Sequence, residues 1–98
     1  GRRFVNLKIL GNYAGKLLVQ IPVSEELAEC EGNEVLVLTC REGVVWAIRA
    51  TVIDGYISFY TTELGPFLIL DDPTQLELTE DGTKIILDQQ ILPFGGWI

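Results

Sequence analysis

Short runs of β-forming residues recur along this chain, and no window of helical length carries an apolar stripe at positions i, i+3, i+4 and i+7. Glycine, asparagine, aspartate and proline separate the runs at spacings of about 8–12 residues. The sequence therefore predicts an all-β fold. The predicted strands are Phe4–Leu10, Lys16–Pro22, Glu34–Cys40, Val44–Ile53, Tyr56–Thr61, Phe67–Leu70, Leu76–Thr79 and Lys84–Leu87.

The apolar pattern predicts which faces of these strands are buried. Val5, Leu7 and Ile9 alternate with other residues and should point inward, because side chains on a strand alternate between its two faces. Glu34–Cys40 is apolar on both faces, as expected for a central strand, and Phe67–Leu70 should be deeply buried.

Turn residues predict the connections. Asp54-Gly55 is the strongest hairpin signal, because Asp and Gly tolerate the positive φ of a two-residue turn. Glu80-Asp81-Gly82-Thr83 predicts a second hairpin. Val23–Asn33 is expected to be a connection, with Ser24 placed like the N-cap of one helical turn.

Seven to eight short strands favour an antiparallel β-sandwich of the Ig-like kind, with a small β-barrel as the alternative. The length of 98 residues fits a single domain spanning 1–98. Residues 88–98 contain Pro93 and two glycines and are predicted to be a linker or an interdomain contact.

The charge balance excludes some partners. Seven basic against fourteen acidic residues give a net charge of −7, which repels phosphate backbones and anionic membranes, so nucleic acid is not expected as a partner. No apolar run approaches the roughly 20 residues of a spanning helix, so membrane insertion is not expected.

The chain contains no histidine, the commonest general base and metal ligand, so histidine-based triads and zinc sites are excluded. We therefore predict no enzyme activity, no catalytic residues and no cofactor. Asp71-Asp72 and Glu80-Asp81 could approach each other and bind Ca²⁺, although solvated turn carboxylates are the simpler interpretation.

Aromatic residues supply the candidate binding residues. Tyr56 and Tyr60 share a strand face opposite Phe59, and Trp46 and Trp97 could add to a sugar-stacking platform. The alternative is that these rings pack against neighbouring strands or the next domain.

Cys30 and Cys40 are the two cysteines. A disulfide between them would close a short loop and contribute at most ~3 kcal/mol. The alternative is two free thiols, because the spacing matches no redox or zinc motif.

One segment carries a more specific pattern. Asp54-Gly55-Tyr56-Ile57-Ser58-Phe59 leads into Thr61-Thr62-Glu63-Leu64-Gly65-Pro66-Phe67-Leu68-Ile69, after Ile21-Pro22-Val23 and Val35 to Leu38. From about Val5 to Leu70 the chain resembles a β module of secreted and cell-surface multidomain proteins of Gram-positive bacteria. It departs from that pattern at Glu63, where histidine is usual, and at Gly65, where serine is frequent.

The resemblance implies an extracellular or cell-surface spacer or adhesive module without catalytic activity. Its partners would be neighbouring domains of the parent chain or a protein or glycan ligand, and a carbohydrate-binding module is the alternative. The start at Gly1 and the lack of methionine fit a processed or excised fragment.

Overall fold

The computed structural model describes residues 15–23, 29–63 and 66–98, together with the backbone of 2–4 and 8–13. The described chain is all-β, as predicted, with nine strands and a 3-10 turn at Pro73–Gln75. The strands are β1 Arg2–Phe4, β2 Lys8–Tyr13, β3 Lys16–Pro22, β4 Glu34–Arg41, β5 Val44–Ile53, β6 Tyr56–Thr61, β7 Phe67–Leu70, β8 Lys84–Leu87 and β9 Gln90–Trp97. Within these ranges, no helix has the length and apolar character of a membrane span.

Seven strands form one continuous antiparallel sheet in the order β1-β7-β4-β5-β6-β3-β2. The sheet curls so that β3 and β6 pack against β4 and β7 across its concave side. The result is a half-barrel, and the predicted sandwich of two separate sheets is not confirmed.

Strand β5 joins the two halves of the curled sheet. Along one edge it pairs with β4 from Val44 to Thr51. Its other neighbours are β9, parallel to it from Val45 to Ala47, and β6, antiparallel to Val52 and Ile53. Thus β6 and β9 pair with different ends of β5. Strand β9 is therefore not part of the seven-strand order given above.

The core has two parts, one on each side of β4, β5 and β7. The inner core fills the concave side and consists of Val19, Ile21, Val35, Val37, Ile48, Ala50, Val52, Ile57, Phe59, Phe67 and Ile69. The outer core lies on the convex side, under the β8–β9 hairpin, and consists of Leu36, Leu38, Val45, Ala47, Leu68, Leu70 and Ile85. Strands β4 and β7 therefore bury both of their faces, as the sequence predicted.

The N-terminal prediction was wrong. Instead of one strand Phe4–Leu10, β1 pairs with β7 and β2 pairs with β3, at opposite edges of the sheet. Val5 and Leu7, predicted to point inward, lie outside the described residues, as does Ser24, and the side chain of Ile9 is also not described.

Two C-terminal predictions also need correction. The predicted strand Leu76–Thr79 is reduced to an isolated bridge between Leu78 and Ile85. The segment 88–98 is not a linker, because it supplies β9, which pairs with both β8 and β5. The alternative of an interdomain contact stays a prediction.

Candidate functional site: an exposed tyrosine face

Tyr56 and Tyr60 project from the same side of β6. The intervening residues Ile57 and Phe59 point the other way into the inner core, since successive side chains alternate across a strand. Tyr56 is 42% exposed and Tyr60 46% exposed. Four residues of strand place the two tyrosines about 13 Å apart. The predicted outward orientation is therefore confirmed, while the predicted binding role stays a prediction.

The neighbouring strands extend this surface. In β3, Leu18 lies opposite Tyr60, and Pro22 lies opposite Tyr56. Between these two pairs, Gln20 lies opposite Ser58. Ile53 of β5 pairs with Tyr56 on the other side and is 60% exposed. We call this surface the tyrosine face; its described residues are Leu18, Gln20, Pro22, Ile53, Tyr56, Ser58 and Tyr60, and none of them carries a charge.

The Asp54-Gly55 turn fixes one end of the tyrosine face. Asp54 has φ 53° and Gly55 has φ 80°, as in a two-residue hairpin turn. The carboxylate of Glu31 accepts hydrogen bonds from the backbone N–H groups of Asp54 and Gly55, at 3.0 and 2.9 Å. In addition, the N–H of Val23 donates to the carbonyl of Gly55 at 2.9 Å. Three backbone groups at this turn thus have partners outside the hairpin.

Buried Thr61 fixes the other end, directly after Tyr60. Its hydroxyl accepts a hydrogen bond from Nη2 of Arg41 at 2.9 Å and donates one to the carbonyl of Glu63 at 3.0 Å. Nε of Arg41 lies 3.9 Å from the Glu63 carboxylate and makes no hydrogen bond. The sequence did not predict the hydrogen bonds of Glu31, Arg41 and Thr61, because their partners are distant in sequence or are backbone groups.

The structure does not bring the two tryptophans onto the tyrosine face. Trp46 is half-buried in β5, and its ring lies against Gly95, where a Cβ atom would come within 2.5 Å of the ring. We therefore assign Trp46 a packing role.

Trp97 lies at the end of β9 beside Ala47. The guanidinium of Arg49 is 4.2 Å from its ring centroid, and Phe94 meets it edge to face at 6.4 Å. Arg49 also lines a shallow depression with Ile53 and Ser58 of the tyrosine face. Trp97 therefore lies beside that face, with the Arg49 side chain between them.

The predicted candidate metal ligands cap turns. Asp72 accepts hydrogen bonds from the N–H and the hydroxyl of Thr74, which hold the pKa of its carboxyl below the usual range. Hydrogen bonds from Thr79 and Thr83 lower the pKa of Asp81 to about 2. In the described residues, no group of three or more His, Cys, Asp or Glu side chains is arranged to hold a metal ion.

Cys30 and Cys40 are separate free thiols, which is the second of the two alternatives that the sequence left open. Cys30 is half-buried beside the carbonyl of Asp71, whereas Cys40 is exposed near the far end of β4. The strand segment Glu34–Cys40 alone spans about 20 Å, and a disulfide requires Cα atoms within about 7 Å.

The fold and the face together define an all-β domain with an exposed aromatic surface, which is bordered by the ion pair of Arg49 and Glu34. No protein-family model matches the chain, and comparison with curated proteins and with solved structures gives no significant match. The resemblance to bacterial surface modules stays a prediction.

Proposed function

We propose that the chain is a noncatalytic structural or interaction module of a larger extracellular bacterial protein, which spaces neighbouring domains or adheres to a partner. The observation that carries this proposal is the tyrosine face. Its large side chains Ile53, Tyr56 and Tyr60 remain exposed although the fold has two buried cores, and exposed apolar patches mark interaction surfaces. The sequence resemblance to Ig-like modules of Gram-positive surface proteins supports the extracellular setting.

The face is suited to binding because it is already ordered. Tyr56 and Tyr60 stand on one strand whose ends are fixed by Glu31 and Thr61. A tyrosine has only two side-chain torsions, so it supplies a large contact area at a low cost in conformational entropy. Its ring is apolar and its hydroxyl can form a hydrogen bond, which suits a partly wet interface.

Binding to isolated Gram-positive cell walls tests the adhesive function. We expect wild type to co-sediment with the walls and the variant Tyr56→Ser/Tyr60→Ser to stay in the supernatant. Ile91→Ser is the control, because Ile91 is also a large exposed apolar side chain but lies on β9, away from the face. Failure of wild type to co-sediment contradicts adhesion to walls, and equal binding of the tyrosine variant contradicts the assignment of the face.

A second candidate function is carbohydrate binding through the same face. Two tyrosine rings flank Ser58 and Gln20, whose hydroxyl and amide can exchange hydrogen bonds with sugar hydroxyl groups. The C–H faces of sugar rings can stack on the tyrosines. The charged side chains that border the face, Arg49 and Glu34, form an ion pair with each other, so a neutral glycan fits the face better than a charged one.

A glycan array separates the two candidates. Retention of wild type on neutral glycans, lost in Tyr60→Ala and kept in Ile91→Ala, supports carbohydrate binding. Absence of binding across the array contradicts it. Protease treatment of the cell walls gives an independent comparison, because it removes a protein partner and leaves a glycan in place.

A further inference from the structure

A small apolar cavity of about 210 Å³ lies between the convex side of the sheet and the β8–β9 hairpin. Leu38, Val45 and Leu68 of the outer core form one wall, and Leu87 and Leu92 of the hairpin form the other. The remaining lining residues are Thr39, Cys40 and Pro66. Since Cys40 and Pro66 are exposed, they mark where the cavity opens to solvent.

The lining of this cavity differs from that of the other depressions described on the surface. Four of them are lined in part by charged side chains, among them Glu77, Arg49, Arg41 and Asp71. The cavity between the sheet and the hairpin has no charged lining residue. A charged group would lose its hydration there without gaining a partner, so the lining selects a neutral apolar occupant.

The volume sets the size of that occupant. Protein interiors are close-packed, and an unfilled apolar cavity forfeits the dispersion contacts of the atoms that line it. Apolar cavities of roughly 150 Å³ stay dry and accept benzene. A cavity of about 210 Å³ has room for a hydrocarbon group of about eight carbon atoms on the same scale.

We infer that this cavity is a binding site for a neutral hydrocarbon group of this size, which enters beside Cys40. The occupant is either a small free molecule or the end of an acyl chain. Any polar end of the ligand lies at the opening, because the leucines of the two walls offer it no hydrogen-bond partner.

Thermal unfolding with ethylbenzene and with 1-octanol tests this inference on the whole chain. Ligands that bind only the folded state raise the Tm in a concentration-dependent way. We expect this rise in wild type and its loss in Leu92→Phe, which fills the cavity. Ile91→Phe is the matched control, since Ile91 is the exposed neighbour of Leu92 and does not line the cavity, and it should keep the rise.

Thiol labelling gives a second readout that does not depend on the folding of Leu92→Phe. In a Cys30→Ser protein, Cys40 reports on the opening, and its reaction with a thiol reagent should slow about tenfold at a ligand concentration ten times the Kd. With both probes, an unchanged Tm in wild type together with an unchanged labelling rate in Cys30→Ser overturns the inference. So does a Tm rise that persists in Leu92→Phe without protection of Cys40, because the probe then binds elsewhere.

Phosphatidylcholine vesicles distinguish the two sources of the hydrocarbon group. Co-sedimentation with vesicles, lost in Leu92→Phe, assigns the cavity to an acyl chain. Binding of the two small probes without vesicle binding assigns it to a free molecule.

Discussion

Phe59 and Phe67 meet edge to face in the inner core, with ring centroids 5.2 Å apart and ring planes inclined at 73°. Their strands are not neighbours, because β5 and β4 lie between β6 and β7 in the sheet. The contact therefore crosses the concave side and joins the two halves of the half-barrel directly. It is also on the opposite side of β6 from the tyrosine face, so it supports that face from within.

Truncation of either phenylalanine should destabilise the fold strongly. Phe59→Ala or Phe67→Ala should lower the free energy of unfolding by about 3–5 kcal/mol, because each leaves a cavity in a buried cluster. Tyr60→Ala on the exposed side of the same strand should cost less than about 1 kcal/mol. Urea unfolding measures all three, and similar losses for Phe59→Ala and Tyr60→Ala would contradict the assigned orientation of β6.

Gly95 should not tolerate a side chain while Trp46 is present. The Cβ of Gly95→Ala would approach the indole within 2.5 Å, so we expect a loss of about 1–3 kcal/mol through overpacking. The same substitution in a Trp46→Leu background should cost clearly less, which a double-mutant cycle by urea unfolding will show. Equal costs in both backgrounds would mean that the indole is not the obstacle.

Glu31 should protect the hairpin turn from local opening. In Glu31→Ala, the amides of Asp54 and Gly55 lose their acceptor, and we expect both to exchange faster with solvent. The loss of stability should be about 1 kcal/mol. Hydrogen exchange followed by NMR is the measurement, with Glu29→Ala as a control from the same acidic segment. Unchanged exchange at both amides argues against the contact.

The turn at Asp81 should make an acid-sensitive contribution to stability. Hydrogen bonds from Thr79 and Thr83 lower its pKa from 3.8 to about 2, so the ionised carboxylate stabilises the folded state above pH 4. That contribution is lost progressively as the pH falls from about 4 towards 2. An NMR titration should show the pKa of Asp81 rising in Thr79→Val. The pKa of Asp72, which depends on Thr74, should not change and serves as the internal control.

The two thiols should differ in accessibility and should not form a disulfide. Cys40 is exposed and should react with a thiol reagent in the folded protein, whereas half-buried Cys30 should react more slowly until the chain unfolds. The intact mass should be the same before and after reduction. A gain of two hydrogens on reduction would show that the cysteines had been bridged.

The elements that were predicted correctly are those whose signal is local. The Asp54-Gly55 turn needs positive φ at two successive residues, which few residue pairs tolerate, and the structure has it there. Phe67–Leu70 is apolar on both faces, which predicts that both faces are buried. In the structure, one face packs in the inner core and the other in the outer core.

The strand β9 was not predicted. The two-residue turn that joins it to β8 has positive φ at Asp88 and Gln89, and glutamine is not a typical residue for that conformation. Pro93 and Gly95 read as strand breakers. In the structure, the absence of a side chain at Gly95 makes room for Trp46. Parallel strands are not joined by a tight turn, so no turn residues in the sequence indicated that β9 pairs with β5.

The candidate site was predictable only in part. Period-two alternation was enough to place Tyr56 and Tyr60 together and outward. Their neighbours Leu18 and Pro22 depend on β3 lying beside β6, which is a matter of topology. Sequence spacing alone could not place Trp97 relative to the tyrosines, since its position follows from the parallel pairing of β9 with β5.

The parallel pairing of β9 with β5 also governs the order in which the chain can fold. Gly96 pairs with Trp46, about half the chain length earlier, so the loop between them must close before the outer core is complete. Closing such a long loop is slow compared with forming the β5–β6 hairpin. During synthesis, we therefore expect the apolar convex side of β4 and β7 to stay uncovered until the residues of β9 have left the ribosome, and we expect the nascent chain to be most prone to aggregation in that period.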